Sequence, residues 1–131
     1  TGGLCLLVSR READGGAIVL ISSISAVKAA DSVASYAAAK AGLIALTRCI
    51  AAEYGWRGVR CNCVVPSWVD TPMTRTFLSD PATRDDVARR HPLRRVASAD
   101  EIARTVLYLA SDDAAFVTGE IHAVDGGMSA L

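Results

Sequence analysis

Residues 17–22, AIVLIS, form an unbroken aliphatic run, and this run decides the fold class. Gly16 precedes it and polar residues follow it, so its length fits a strand better than a helix. A run without polar alternation is typical of a strand that is buried on both faces, as in a parallel sheet. We therefore predict a central parallel strand here.

The next segments along the chain predict a strand, a helix and a second strand. Residues 35–54 carry apolar side chains at helical spacing, and Gly55 closes this pattern. Residues 59–65, VRCNCVV, predict a strand that Pro66 ends. Such a βαβ unit joins parallel strands through a right-handed crossover.

The flanking segments predict further elements of an α/β domain. Residues 4–13 predict the tail of a helix, ended by a turn at residues 14–16. Residues 99–111 predict a helix with Ser98 as its N-cap, and residues 120–125, EIHAVD, predict a last strand. We expect residues 1–131 to form part of one α/β domain with a largely parallel sheet.

Residues 71–95 interrupt this regular pattern. They contain three prolines, and six arginines against three aspartates give a local charge of +3. We expect a mobile insertion whose arginines, including Arg75 and Arg84, form a solvated face. An acidic or phosphorylated substrate is the weaker alternative.

The composition limits the classes of partner. No apolar run approaches the roughly 20 residues that a membrane span requires. Fourteen basic and 14 acidic residues give zero net charge, so nothing in the overall charge favours nucleic acid or anionic lipid. We expect a small-molecule or protein partner, and neither a membrane nor a nucleic acid.

The cysteines favour a reducing compartment. None forms a CxxC pair, and no histidine completes a metal site at the usual spacing, so we predict no metal site. We interpret them as buried free thiols. The first 16 residues lack the pattern of a secretory signal, so we expect a cytoplasmic location. The cysteines are Cys5, Cys49, Cys61 and Cys63.

Polar residues collect at the carboxyl ends of the predicted strands, where open parallel sheets bind ligands. The loop of residues 66–71 follows the second strand, and Tyr36 and Lys40 lie in the first turns of the helix that starts at this edge. A tyrosine and a lysine four residues apart are common on helix surfaces, so the pair alone decides nothing. A hydroxyl cluster follows the first strand: Ser22, Ser23 and Ser25.

These residues together resemble the Ser…Tyr-x-x-x-Lys signature of the short-chain dehydrogenases/reductases. Ser23 is followed by Tyr36 thirteen residues later and then by Lys40. The stretches IVLISS, NCVVPSWVDTPM and FVTGEIHAVDGG resemble, in order, the family's strand before the serine, its N-x-x-P-G-x-x-x-T-P loop and its closing strand. The 3-oxoacyl-reductase-like branch of the family is the one that the stretch PLRRVASADEIA resembles.

The resemblance implies a partial doubly wound, Rossmann-like parallel sheet with flanking helices, and an oxidoreductase that uses NAD or NADP on an alcohol or carbonyl substrate. Hydride transfer requires a proton to move at the adjoining oxygen, and Tyr36 would be the acid/base. Ser23 would donate a hydrogen bond to that oxygen. Lys40, a compact charge with rotatable donors, would act on the tyrosine and bind a cofactor ribose.

The same resemblance assigns the loop that follows the second strand. Val69 would meet the nicotinamide carboxamide through its backbone, and Thr71 would bind the cofactor's phosphates unless it is only a turn residue before Pro72. Ser67 replaces the usual glycine, at a cost if that glycine serves a positive φ or a close approach of the cofactor. The implied cofactor-binding residues are Tyr36, Lys40, Pro66, Val69 and Thr71, and the implied substrate-binding residues are Ser23, Tyr36 and Trp68, under a lid of residues 73–95.

No Gly-rich phosphate loop occurs in the sequence. Family members carry that loop, and the residue that selects NAD or NADP, in an N-terminal half that would precede Thr1. We therefore expect that half to be absent, the 131 residues to be inactive alone, and the first strand to have an unpaired edge.

The alternative function is a non-catalytic fragment or an oligomerisation module. The helix from Ser35 is rich in alanine, and family members pair subunits through it, so a homo-oligomer, dimer or tetramer, is implied. We expect structural roles for Asn62 and for the turn of residues 125–127. We expect no chemical role for the two histidines, His91 and His122.

Overall fold

A computed structural model describes residues 6–10, by backbone alone, and residues 15–131. The strands in this part of the chain are β1 (Leu6–Arg10), β2 (Gly16–Ile21), β3 (Val59–Pro66), β4 (Val69–Asp70), β5 (Ala97–Ser98) and β6 (Ile121–Val124). Its α-helices are α1 (Ala34–Tyr54), α2 (Pro72–Leu78), α3 (Pro81–Arg89) and α4 (Ala99–Ala110).

The main sheet has the strand order β1-β2-β3-β6. β2 is parallel to β3, and β3 is parallel to β6, so the predicted parallel sheet is confirmed. A second, two-stranded sheet pairs β4 with β5 in parallel. This small sheet lies just beyond the carboxyl end of β3, where it positions the loop of residues 66–71.

The two faces of the sheet form two cores, because β3 is buried on both sides. On one face Leu20, Cys61 and Cys63 pack against apolar side chains of α1 such as Leu43 and Ile50. On the other face Val19 and Val64 pack against Leu109 of α4. Helices cover both faces, as in a doubly wound α/β fold.

The start of α4 follows from its sequence. The Ser98 hydroxyl accepts a hydrogen bond from the backbone N–H of Glu101, and the Glu101 carboxylate accepts one from the backbone N–H of Ser98. This reciprocal capping box satisfies two N–H groups that a helix start leaves unpaired. The prediction of Ser98 as the N-cap is confirmed.

The prediction of a helix over residues 4–13 is wrong for residues 6–10, and its other residues lie outside the described part. Residues 6–10 form β1, which pairs antiparallel with β2 from Leu6 opposite Leu20 to Arg10 opposite Gly16. A short apolar run such as LLV suits a strand as well as a helix, and periodicity cannot separate the two. The edge of β2 that we expected to be unpaired is therefore covered by β1.

Residues 71–95 contain α2 and α3 where we expected a mobile insertion. Pro72 and Pro81 are the first residues of these two helices, a position where proline fits because its missing N–H needs no partner. The Asp80 side chain caps α3 by accepting a hydrogen bond from the backbone N–H of Thr83 at 2.9 Å.

Among residues 15–131 no helix combines the length and apolar character that a membrane crossing demands.

Candidate active site

Two hydrogen bonds, one buried and one part-buried, join the carboxyl end of β2 to α1. The Lys40 ammonium donates to the backbone carbonyl of Ile21 at 2.9 Å, and the Ser22 hydroxyl donates to the backbone carbonyl of Lys40 at 2.8 Å. The Lys40 side chain is only 7% exposed. A buried ammonium is costly unless it is hydrogen-bonded, so the Ile21 carbonyl fixes where this charge lies.

Tyr36 lies one helical turn before Lys40. The Lys40 Nζ atom is 5.7 Å from the centroid of the Tyr36 ring, within the range of a cation–π contact. Tyr36 is half-buried, so part of its side chain is accessible to solvent. The structure thus brings together the tyrosine and the lysine that the sequence placed at one edge.

Ser23 follows β2 by two residues and is half-buried. Its Oγ accepts a hydrogen bond from the backbone N–H of Ser25 at 3.2 Å, at the start of a single 3-10 turn. A serine hydroxyl has one proton to donate besides its lone pairs. Because Ser25 uses only a lone pair, the Ser23 proton can still be donated to a ligand.

Several hydrogen bonds anchor the loop of residues 66–71, which begins at the carboxyl end of β3. The Trp68 carbonyl accepts a hydrogen bond from the Ala97 N–H at 3.1 Å, next to the β4–β5 pairing. The Val69 carbonyl accepts one from the Thr74 hydroxyl of α2, and Val69 is 9% exposed. Pro66 is buried as the last residue of β3. The loop conformation is thus set by backbone groups of the residues we singled out.

Thr71 makes its described contacts within the start of α2. Its backbone N–H donates to the Thr74 hydroxyl at 3.1 Å, and the two hydroxyl oxygens are 3.2 Å apart. These contacts match the turn role that we considered for Thr71. A role in phosphate binding stays a prediction.

Ser67 does not have the strained backbone that its replacement of glycine led us to consider. Among the described residues other than glycine, only Ser32 and Arg94 have a positive φ. The Ser67 hydroxyl instead lies 2.8 Å from Nε2 of His91, which is 1% exposed. No pattern in the sequence predicts this contact, because His91 lies in a segment without apolar periodicity.

The arginines of the lid segment are exposed, as predicted. Arg84 lies 3.2 Å from the Asp70 carboxylate and Arg75 lies 3.9 Å from it. Both arginine side chains are more than two-fifths exposed. One half-buried aspartate therefore connects the loop of residues 66–71 to both α2 and α3.

The structural roles predicted for Asn62 and Asp125 are confirmed. Asn62 is fully buried, donates to the Val117 carbonyl at 2.9 Å and accepts from the Glu120 N–H at 3.1 Å. The Asp125 carboxylate accepts from the N–H groups of Gly127 and Ser129. Burial raises the pKa of Asp125, but these hydrogen bonds outweigh it and the net pKa is lowered.

The cysteines of the described part are free thiols, and Cys5 lies outside it. Cys49 is exposed, which corrects our expectation of burial for that residue. Cys61 and Cys63 are buried, and burial raises the pKa of Cys61 to about 11 and also raises that of Cys63. Over residues 15–131 no group of three potential metal ligands occurs.

A cavity of about 690 Å³ lies at the other end of the strands, near the starts of β2 and β3, where Gly16, Val59 and Phe116 line it. Of the described residues that line it, Arg60 alone carries a charge, and its guanidinium donates to the carbonyls of Leu109 and Ser111. Proton transfer needs a titratable side chain at the reacting atoms. This cavity therefore offers less for proton transfer than the carboxyl edge, where Tyr36 and Lys40 lie.

Comparisons with known proteins agree with this geometry. A family model described as enoyl-(acyl carrier protein) reductase matches residues 3–129. The 3-oxoacyl-[acyl-carrier-protein] reductase of Chlamydia trachomatis is 40% identical over 118 residues, which are 90% of this chain and 47% of that protein. The cis-4-hydroxycyclohexanecarboxylate dehydrogenase of Sinomonas cyclohexanicum is 44% identical over 119 residues, 91% of this chain and 47% of that protein.

A solved structure shares the fold. The crystal structure of a gluconate 5-dehydrogenase from Burkholderia cenocepacia, in complex with NADP and tartrate, superposes with a TM-score of 0.84 at 31% identity. The match covers 89% of this chain and 46% of that one. The chain thus spans about half the length of the relatives it matches.

Proposed function

The chain belongs to the short-chain dehydrogenase/reductase family, and on that premise we propose that it carries the proton-transfer site of an NAD- or NADP-dependent oxidoreductase. The substrate would be an alcohol or its carbonyl counterpart. The observation that carries the proposal is the pairing of half-buried Tyr36 with buried Lys40 at the carboxyl edge of a partial Rossmann-like sheet.

The donors at this edge fit a nicotinamide cofactor. An ammonium has three N–H donors, and the Ile21 carbonyl accepts one of them from Lys40, so others can bind ribose hydroxyls. Pro66, Val69 and Thr71 would bind the cofactor on the loop side, Val69 through its backbone. When bound, the nicotinamide would supply the hydride in reduction or accept it in oxidation.

The chain's own residues would move and stabilise the proton. In reduction the Tyr36 hydroxyl donates its proton to the substrate oxygen as the carbinol forms, and in oxidation the tyrosine oxygen accepts that proton. Ser23 donates a hydrogen bond to the same oxygen, using the proton that its contact with Ser25 leaves available. Lys40, held by Ile21, places its ammonium beside the Tyr36 ring.

The substrate would lie between Trp68 and the lid segment. Trp68 is half-buried within the loop of residues 66–71, which we assign to the cofactor. On α2, Met73 and Phe77 are 74% and 64% exposed, so the lid presents apolar surface that a bound substrate could cover. This surface favours a substrate with an apolar part over a highly charged one.

The test is turnover by the protein expressed from its complete native reading frame. We would follow NADH and NADPH oxidation with three carbonyl classes suggested by the relatives' names: a 3-oxoacyl thioester, a keto sugar acid and a ketocyclohexanecarboxylate. We expect saturable oxidation of one cofactor with at least one class. Saturable cofactor binding without turnover on any carbonyl or alcohol would favour the non-catalytic alternative, and no cofactor binding would contradict the proposal.

A second proposal is self-association through α1, as a dimer or tetramer. The exposed residues of α1 are mostly small or apolar, and a side chain added at Gly42 would meet no atom within 4 Å. Small residues let two helices approach closely, and burial of this face would remove apolar surface from water. The exposed positions include Ala38, Gly42, Ala45, Leu46 and Ala52.

Sedimentation of a matched pair of variants tests this face. Ala45→Arg places a large charge on the proposed interface, whereas Ala103→Arg places the same charge on an exposed position of α4. We expect the native assembly to dissociate with Ala45→Arg and to persist with Ala103→Arg. A protein that sediments as a monomer before any substitution would contradict the proposal.

The cytoplasm is the location that fits the thiols best. Cys49 is exposed, and Cys61 and Cys63 are buried two residues apart on β3. All three are free thiols. Free thiols persist in reducing compartments.

A further inference from the structure

The hydrogen bonds of the buried His91 ring fix its protonation pattern in the neutral form. Nδ1 lies 2.8 Å from the backbone carbonyl of Val87, and Nε2 lies 2.8 Å from the Ser67 hydroxyl oxygen. A carbonyl can only accept, so Nδ1 carries the proton, and Nε2 is left as an acceptor. The Ser67 hydroxyl therefore donates to His91.

The His91 ring is held in place by its surroundings. It is 1% exposed, and its Cδ2 atom lies 3.3 Å from where a side chain at Gly126 would begin. The backbone N–H of Leu93 also donates to the Gly126 carbonyl at 3.2 Å. The ring thus has a fixed position between the end of α3 and the turn that follows β6.

Ser67 is the point where the loop of residues 66–71 contacts this fixed ring. The far half of the loop is held by the Thr74 hydroxyl on the Val69 carbonyl and by the Ala97 N–H on the Trp68 carbonyl. Within the near half, the Ser67 side chain makes the contact that reaches across 24 residues of sequence. A cavity of about 90 Å³ lies beside this contact, so the loop has room to shift if it is lost.

We infer that His91 is a positioning residue, which holds the loop of residues 66–71 in place by accepting the Ser67 hydrogen bond. On the further premise of the proposed function, it thereby sets the affinity of this loop for the nicotinamide cofactor. His91 touches neither the substrate nor the reacting atoms in this role. Its action passes through Ser67 to the backbone of Val69.

Three variants separate this role from general packing. Ser67→Ala removes the donor, and His91→Asn keeps a donor near Nδ1 for the Val87 carbonyl but loses the acceptor for Ser67. His91→Gln places an amide oxygen near Nε2 and can accept from Ser67 again. The double variant Ser67→Ala/His91→Asn tests whether the two single changes remove the same interaction.

The first readouts are made by NMR on the protein without cofactor. Nitrogen shifts of His91 should show the tautomer protonated at Nδ1, with His122→Gln used to assign the two histidines. Hydrogen exchange of the Ala97 amide should rise about three- to tenfold in each single variant, the effect of one lost hydrogen bond. We expect no further rise in the double variant, recovery in His91→Gln, and an unchanged Gly119 amide, which donates to Cys61 far from this loop.

Opposite results overturn the inference. A tautomer protonated at Nε2 would show that His91 does not accept from Ser67 and would overturn the stated hydrogen bond. Additive effects of the two single changes, or equal acceleration at Ala97 and Gly119, would each show that His91 only packs. With cofactor, the NAD(P)H dissociation constant should rise about three- to tenfold in Ser67→Ala and His91→Asn and recover in His91→Gln. A native protein that binds no cofactor would refute the proposed function, while the exchange and tautomer results would still decide the positioning role.

Discussion

The two sides of the candidate site are held by different kinds of interaction. At the corner, which we define as Ile21, Ser22, Tyr36 and Lys40, the hydrogen bond from Ser22 is buried and the one from Lys40 is part-buried. In the lid, residues 73–95, the ion pairs to Asp70 are exposed, and the side chains of Thr74 and His91 make part-buried hydrogen bonds to the loop of residues 66–71. Buried hydrogen bonds resist water and salt, whereas exposed ion pairs contribute little to stability. We therefore treat the corner as a fixed frame, and we expect the lid to be the part that rearranges when a substrate binds.

The largest effect should come from removing the charge of the corner. Lys40→Met keeps most of the side-chain length but leaves the Ile21 carbonyl without its donor. We expect kcat to fall by about 100-fold or more, in the range that proton-transfer machinery contributes. Lys28→Met is the matched control, because Lys28 is exposed and donates to the Met128 carbonyl away from the corner. A Lys40→Met enzyme with more than a tenth of the native kcat would contradict this role.

A smaller effect should come from the second bond of the corner. Ser22→Ala leaves the Lys40 carbonyl without the buried Ser22 donor, so we expect the free energy of unfolding to fall by about 1–3 kcal/mol. Ser79→Ala removes a hydroxyl that donates to a carbonyl at the same 2.8 Å but is exposed in the lid. It should cost less than about 0.5 kcal/mol. Equal losses in urea unfolding would erase the difference between frame and lid.

The exposed pairs of the lid should matter still less. Asp70→Asn removes the carboxylate shared by Arg75 and Arg84, and we expect a loss of less than about 1 kcal/mol. Because salt screens exposed charges, the loss should shrink further when NaCl is raised to about 1 M. A loss above about 2 kcal/mol that salt does not change would show that this pair is part of the frame.

The smallest effect is a pH dependence at the end of the lid. The hydrogen bond from Arg95, helped by the Ser98 N–H, lowers the pKa of Glu101 from 4.5 to about 2. A lowered pKa stabilises the folded state at pH values above the unfolded value, and this stabilisation is lost as the pH falls from 4.5 toward 2. Glu101→Gln should therefore differ slightly from the native protein at pH 6 and converge with it near pH 2. A difference that grows on acidification would contradict this assignment.

The corner and the elements around it were predictable from the sequence, because their signals are local. The run of residues 17–22, the helical spacing after Ser35 and the run of residues 59–65 each indicate one element, and the structure has β2, α1 and β3 there. Tyr36 and Lys40 share a helix face by their spacing alone. The rule that open parallel sheets bind ligands at the carboxyl ends of their strands directed attention to this edge, where α1 begins beside the end of β2.

The lid and the first strand were not predictable in the same way. Pro72 and Pro81 indicated interruptions, yet each begins a helix, because proline fits the first helical position as well as a turn. Residues 6–10 lacked a period that separates strand from helix, and their pairing with β2 is a tertiary contact. The contact between Ser67 and His91 joins residues that are 24 positions apart, and no pattern in the sequence predicts it.

The most direct test of the central claim compares two tyrosines of the same helix in single-turnover experiments. Tyr36→Phe removes the hydroxyl at the corner, while Tyr54→Phe removes a hydroxyl at the exposed end of α1. We expect Tyr36→Phe to bind NAD(P)H with native affinity and to slow carbonyl reduction by about 100-fold or more, and Tyr54→Phe to leave both unchanged. Native reduction rates in Tyr36→Phe would contradict the claim that this corner transfers the proton.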